Sequence, residues 1–391
     1  MRKRKQIKGG ISLEKMFLVH IRGEGPYSYE TETELELPAS RNTFLDALQR
    51  ARIEDGHHCS STVVCCWAEG LPLHCLGRDT DLYELNLLAM RLSEMTWEEH
   101  RRLYGLVVME QATPAGAVPI PQLINLTMNL DHCARKPEIR NDAALGRFFY
   151  ENQAAPSAFT RMMDAGEDPE LVCALIGRYR REHHHGTFTK YGYTECETLE
   201  SRYLPGLLPY FPEPEGALVL EYETGAVVLP AEGERFRALA DAPFLVTDCA
   251  VPEAGRWIQS EQDPEAILQF AEQIQRAEQD GTLTRYKALL EAVSCSSLQE
   301  ANRLYERMEE FEFRAEIAHT WNYAEAELRG KYPDLPPLLF QSSQAYQVGL
   351  DMMEQDHAVL TAYGMVRRLD RQPVLAAAEP GYGPEILQNA V

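Results

Sequence analysis

Polar and apolar residues alternate strictly over 32–37, where Glu32, Glu34 and Glu36 are set against Thr33, Leu35 and Leu37, and this predicts a half-exposed strand. Pro38 ends it, and the Ala-Ser-Arg-Asn that follows leads into a helix over 44–52 with Ser40 or Asn42 as its cap. The same order of signals returns in the second half. LVLEYETGAVVLPAEGERFRALAD predicts two strands turning at Thr224-Gly225, then Leu229-Pro230-Ala231 in the place of Leu37-Pro38-Ala39, then a short helix.

The correspondence continues along the chain. DTDLYELNLLAMRLSEM and QDPEAILQFAEQIQRAEQ both predict amphipathic helices with an acidic or proline-containing first turn, each followed by a shorter helix, over 98–108 and 282–293. Leu123, Leu126, Leu130 and Ile139 match Ala301, Leu304, Met308 and Ile317 at a constant offset of 178, and the first three lie on one helical face. Phe188-Thr189-Lys190-Tyr191-Gly192-Tyr193 matches Leu360-Thr361-Ala362-Tyr363-Gly364-Met365 at an offset of 172, which also pairs Gly177 with Gly349.

Matched segments in one order, with offsets drifting only from 192 to 172, imply a tandem duplication. The expected units are 13–200 and 215–391, after a basic tail at 1–12 and on either side of a Pro-rich hinge at 201–214. Sub-boundaries are expected near 112–121 and 294–297. Strands and helices mix without long βαβ alternation, so the fold class is α+β and multi-lobed.

With 45% apolar residues in 391, each unit has enough to bury a core. The chain carries 60 acids against 38 bases, a net charge of -22, which excludes nonspecific binding to nucleic acid or anionic lipid through a global positive field. Residues 1–200 hold 29 acids and 23 bases (-6), and residues 201–391 hold 31 and 15 (-16), so the second half supplies most of the field. Nine scattered cysteines point to reduced thiols in a cytoplasmic protein rather than a disulfide framework. No apolar run approaches the ~20 residues of a membrane span.

His57, His58, Cys59, Cys65, Cys66, His74 and Cys75 are the densest set of metal-type ligands, but their spacing fits no standard zinc motif, and STVVCCW reads as a buried strand. His183, His184 and His185 read as a helix end and turn. No phosphate-binding loop, nucleophile elbow, zinc-protease motif or dinucleotide fingerprint occurs, so neither an enzymatic reaction nor a cofactor is expected.

Acidic residues are the remaining signal. Glu300, Glu306, Glu309, Glu310, Glu312 and Glu316 follow one predicted helix and its exit, and Glu261, Asp263, Glu265, Glu272, Glu278 and Asp280 lie on and around the helix before it. One reading is a solvated face on which Arg303, Arg307 and Arg314 pair with several of these glutamates. The other is a protein polyanion whose carboxylates imitate duplex DNA, which carries one charge per ~1.7 Å of axis.

The segments LPASRNTFLDAL, DLYELNLLAMRLSEM, IPQLINLTMNLD, NDAALGRFFYEN and ALIGRYRREHHHGTFTKYGY resemble ArdA-type antirestriction proteins, especially divergent forms in mobile elements of gut Firmicutes. SLQEANRLYERMEEFEFRAEI and VLTAYGMVRR resemble a more diverged copy of the same plan. The resemblance implies an elongated, acidic, non-catalytic DNA mimic that blocks a type I restriction-modification enzyme, and it marks Glu84, Asn86, Asp131 and Asp142 as further surface positions. Typical members are single shorter units that commonly dimerise, so tandem units are expected to replace a dimer. An accessory or scaffold protein of a conjugative element, binding another basic partner, is the alternative.

Overall fold

The computed structural model describes residues 13–23, 31–57, 59–111, 116–239 and 242–374. The basic tail and part of the expected sub-boundary at 112–121 lie outside them. The chain is α+β: its strands form four small antiparallel sheets of three strands each among the described residues, and helices pack on and between them.

In the first half β1 (Phe17–Arg22) is the centre of a sheet ordered β2-β1-β3, with β2 (Thr33–Leu37) and β3 (Ser60–Cys66) at its edges and α1 (Arg41–Arg50) between them in sequence. Then come α2 (Leu82–Glu94), α3 (Trp97–Glu110) and α4 (Ile120–Thr127). A second sheet, ordered β4-β6-β5, combines β4 (Cys133–Lys136), β5 (Gly186–Thr189) and β6 (Gly192–Cys196), with α5 (Asp142–Glu151), α6 (Ser157–Asp164) and α7 (Pro169–His183) inserted after β4.

The second half repeats this order. Its first sheet, β8-β7-β9, is built from β7 (Leu218–Tyr222), β8 (Gly225–Leu229) and β9 (Leu245–Cys249), with α8 (Gly233–Ala238) after β8. After it follow α9 (Gly255–Ser260), α10 (Pro264–Gln279), α11 (Leu283–Ala292) and α12 (Leu298–Glu306). The last sheet, β10-β12-β11, contains β10 (Phe311–Arg314), β11 (Val359–Thr361) and β12 (Gly364–Arg368), with α13 (Thr320–Lys331) and α14 (Ser343–Asp356) inserted after β10. A 3-10 turn at Pro337–Gln341 takes the place of α6.

Local details repeat as well. The register of the central strand slips between Leu18 and Val19 in β1 and between Val219 and Leu220 in β7. The Thr189 and Thr361 hydroxyls each donate to the carbonyl of the following glycine, Gly192 or Gly364, and accept from the intervening Tyr191 or Tyr363 amide, bracing the two hairpins alike. Gly177 and Gly349 lie where one helix crosses another so closely that a Cβ would collide with the carbonyl of Asp142 or of Thr320. Helix starts are written into the sequence: Asp81, Thr96, Asn141, Asp168, Asp263, Ser297 and Ser342 each accept from a first-turn amide, an arrangement that contributes about 1 kcal/mol per cap.

Three expectations are refined by packing. Ser40, not Asn42, caps α1; Asn42 is buried and reaches into the second half instead. STVVCCW forms an edge strand whose Cys65 and Cys66 are only half-buried. The segment 201–214, read as a hinge, is strapped to the first half. Tyr203, Leu208, Tyr210 and Phe211 join the core of that half, and Asn125 Oδ1 accepts from the Arg202 and Tyr203 amides.

Contact between the halves is made by residues 40–52 in and around α1. Lys287 Nζ donates to Asp46 at 2.7 Å and to Gln49 at 3.0 Å, and the Tyr363 hydroxyl donates to the same Asp46 oxygen at 2.8 Å. Arg50, from within α1, donates to the other Asp46 oxygen at 3.0 Å and also pairs with Glu253. Ser40 and Asn42 donate to Asp248 at 2.6 and 2.8 Å, and Asn42 also donates to the Gly216 carbonyl. The Lys287 and Asp46 side chains are 3% and 8% exposed, so neither charge has water to fall back on.

Two stability predictions follow from these contacts. Gly177→Ala should lower stability by about 1–3 kcal/mol in urea unfolding through overpacking, whereas Gly330→Ala, in open space on α13, should raise it by about 1 kcal/mol. Asp46→Ala, which strands Lys287, should cost about 3–5 kcal/mol, and Asp46→Leu with Lys287→Met should recover much of that loss. A double-mutant cycle giving no coupling would exclude this role for the pair.

Candidate acidic interface

The polar face of α10 is set by its periodicity. Ala266, Ile267, Phe270, Ala271, Ile274 and Ala277 are buried, which turns Glu265, Gln269, Glu272 and Arg276 outward. In α12, Leu298, Ala301 and Leu304 face inward and pack this helix against α10. Two glutamine amides tie the exposed rims together: Gln299 donates to Glu261 at 2.7 Å and Gln269 to Glu306 at 3.4 Å. Asp263 caps α10, and Glu300 accepts from the Ser296 amide at the start of α12.

The expected acids divide into two classes. Glu309 and Glu310 lie in a 3-10 turn beyond α12, Glu312 in β10 and Glu316 past it, and each has an arginine partner. The pairs are Glu309–Arg285 at 3.2 Å, Glu310–Arg307 at 2.7 Å, Glu312–Arg367 at 2.5 Å and Glu316–Arg314 at 2.9 Å. Glu265 is held by Arg237 at 2.7 Å. The arginine hydrogen bonds keep the Glu310 and Glu265 carboxyls below the ordinary glutamate range. By contrast, Glu261, Asp263, Glu272, Glu278, Asp280, Glu300 and Glu306 make no ion pair among the described residues, and the exposed arginines on the same two helices are Arg276 and Arg303. The polyanionic surface is therefore the α10–α12 face, not the segment beyond α12.

Several first-half positions depart from expectation. Glu84 and Asn86 are not on the surface: Glu84 is buried and accepts from the Tyr203 hydroxyl at 3.3 Å. Asn86 is fully buried, bonding both the amide and carbonyl of Ala39 and the Tyr210 carbonyl, so it fastens 201–214 to the turn that leads into α1. Asp131 is exposed but bound by Arg202 at 2.8 Å, a hydrogen bond that lowers its pKa. Asp142 is held by both arms of Arg181 at 3.0 Å. Arg178 pairs with Glu182 and Arg180 with Glu195.

A further acidic row follows from the alternation over 32–37. β2 is an edge strand, and Glu32, Glu34 and Glu36 point to solvent, with His20 contacting Glu32 at 2.7 Å and Glu34 at 3.3 Å.

The cysteine and histidine cluster is dispersed by the fold. His57 contacts Asp81 at 2.6 Å and lies against the Tyr83 ring, the Cys66 thiol donates to the Leu71 carbonyl, and Gln111 donates to Cys75. Burial pushes the Cys59, Cys66 and Cys75 thiols up to about 11, the protonated state at neutral pH. His58 lies outside the described residues. Among the described residues no group of three His, Cys, Asp or Glu is placed to hold a metal ion, and no helix is long and apolar enough to cross a membrane.

No family model matches the chain, and no curated protein matches it.

Glu84 supplies a pH test. Burial, then the nearby Asp81 charge, raises its pKa, so the folded state disfavours its ionised form. That penalty operates above the folded pKa and disappears as pH falls through it toward the ordinary carboxylate value. Glu84→Gln, which keeps an acceptor for Tyr203, should raise the melting temperature at pH 7, and the gain should shrink to nothing near pH 4. An equal gain at both pH values would count against a charge effect.

Proposed function

We propose that the protein is an acidic inhibitor that occupies the DNA-binding groove of a type I restriction-modification enzyme in the cytoplasm, acting as a DNA mimic without chemistry of its own. The observation that carries this reading is the α10–α12 face, where seven carboxylates on and flanking two packed helices make no ion pair among the described residues. A groove lined with Lys and Arg to receive phosphates is complementary to such a surface, and the resulting field speeds association. Rigidity matters as much as charge, because carboxylates held on packed helices need no ordering when they bind. The resemblance to ArdA-type proteins supplies the target class.

The paired acids of the first half favour a second reading, a scaffold for another basic protein, in which the same face is used on a different partner.

Inhibition of a purified type I enzyme, measured at two salt concentrations with DNA as competitor, tests the proposal. Inhibition should be DNA-competitive and should weaken as salt shortens the ~8 Å screening length of physiological buffer. Glu272→Gln and Glu306→Gln should each weaken it by up to about fivefold, since a partly solvated charge contact contributes roughly 0.2–1 kcal/mol. Glu310→Gln, whose charge Arg307 already offsets, should have a smaller effect. Salt-independent inhibition, or none at micromolar protein, would reject the mimic.

A further inference from the structure

In the second half, the face formed by the end of β9, the first turns of α11 and the β11–β12 turn is covered by α1. The first half carries the same face uncovered. Strand register equates Cys66 with Cys249, and therefore Trp67 with Ala250. The helix starts equate Thr96 with Thr282, and therefore Trp97 with Leu283 and Arg101 with Lys287. The hairpin turns equate Tyr191 with Tyr363.

Ala250, Lys287 and Tyr363 are buried, whereas Trp67 is 51% and Trp97 61% exposed, and Arg101 and Tyr191 are half-exposed. The Arg101 guanidinium lies 4.0 Å over Trp97 and 5.5 Å from the Tyr191 ring, and its Nε has no hydrogen-bond partner among the described residues. Exposed Trp, Tyr and Arg together are the residue types that dominate the energetics of protein interfaces.

What covers this face in the second half is the short helix that follows a Leu-Pro turn in a neighbouring unit. The second half has its own such helix, α8. Glu234, Arg237 and Ala238 on it are exposed, and among the described residues no hydrogen bond or ion pair joins it to the first half. We propose that α8 of a second copy of this chain docks on the Trp67–Trp97–Arg101–Tyr191 face, repeating between molecules the contact that α1 makes within one.

The substitutions on the two sides agree. Tyr363 needs Asp46 of α1, but the Tyr191 hydroxyl already donates to Glu69 at 3.1 Å in its own unit, and Ala238 occupies the Asp46 position on α8. Glu234 stands where Asn42 stands. Asn42 faces Asp248 and the Gly216 carbonyl, and the first-half counterparts are Cys65 and Lys15, so Glu234 meets no carboxylate there. The contact is heterologous, so each added molecule leaves one face and one helix free.

Sedimentation equilibrium from micromolar to near-millimolar protein, with tryptophan emission recorded in parallel, tests this. Association should grow with concentration, and emission should shift to the blue as Trp67 and Trp97 lose water. Trp67→Ser with Trp97→Ser, and separately Ala238→Arg, should each weaken association by about tenfold or more. All three positions are at the surface or half-exposed, so both variants should fold. Mixed together, the two variants should form one-to-one complexes and nothing larger, because one retains the helix and the other the face. A wild type that stays monomeric throughout, association insensitive to both variants, or a mixture that shows no pairing would each overturn the proposal.

Discussion

The Asp46 carboxylate is the point at which this chain becomes one object. It sits on the first half, is nearly inaccessible to water, and is held by Lys287 and Tyr363 of the second half as well as by Arg50 of its own helix. A buried ion pair adds little net stability over an apolar pair of the same shape, because desolvation offsets most of the attraction. Its contribution is geometric. With three donors aimed at one carboxylate, any other docking of α1 leaves a buried charge unmatched, and the two halves are held in one arrangement.

The strap at 201–214 acts with this contact. Asn86 fixes Tyr210 to Ala39, in the turn before α1, and Asn125 fixes the chain just before it, so the connection is anchored to the first half before the second begins. The proposed activity depends on this rigidity, since carboxylates on α10 and α12 present a fixed pattern only if the units carrying them do not move independently. Net charge alone would have pointed to the wrong acids. Many glutamates beyond α12 are offset by nearby arginines, whereas of those on α10 and α12 only Glu265 has an arginine partner among the described residues.

The duplicated architecture shows how one scaffold carries opposite charge. At one position of the second sheet the first half has Glu195, held by Arg180 and Lys136, and the second half has Arg367, held by Glu312 and Glu327. Both sites are buried and both are satisfied. The constraint at this position is that a buried charge be fully paired, and either sign meets it.

The sequence alone determined the repeated order of elements, because periodicity, helix caps, glycines at close crossings and the Thr-x-Tyr-Gly turns act over a few residues and leave local signatures. It also determined the α+β class and the uneven distribution of charge between the halves. Only the tertiary structure decided which acids remain without partners, since an arginine that offsets a glutamate is often distant in sequence, as Arg367 is from Glu312 and Arg285 from Glu309. The same holds for Glu84 and Asn86, which look like surface positions on an amphipathic helix until the strap from 201–214 covers them. The role of Asp46 was not legible at all: it stands in a short helix like any exposed acid, and becomes the junction of the molecule because Lys287, 241 residues later, folds back against it.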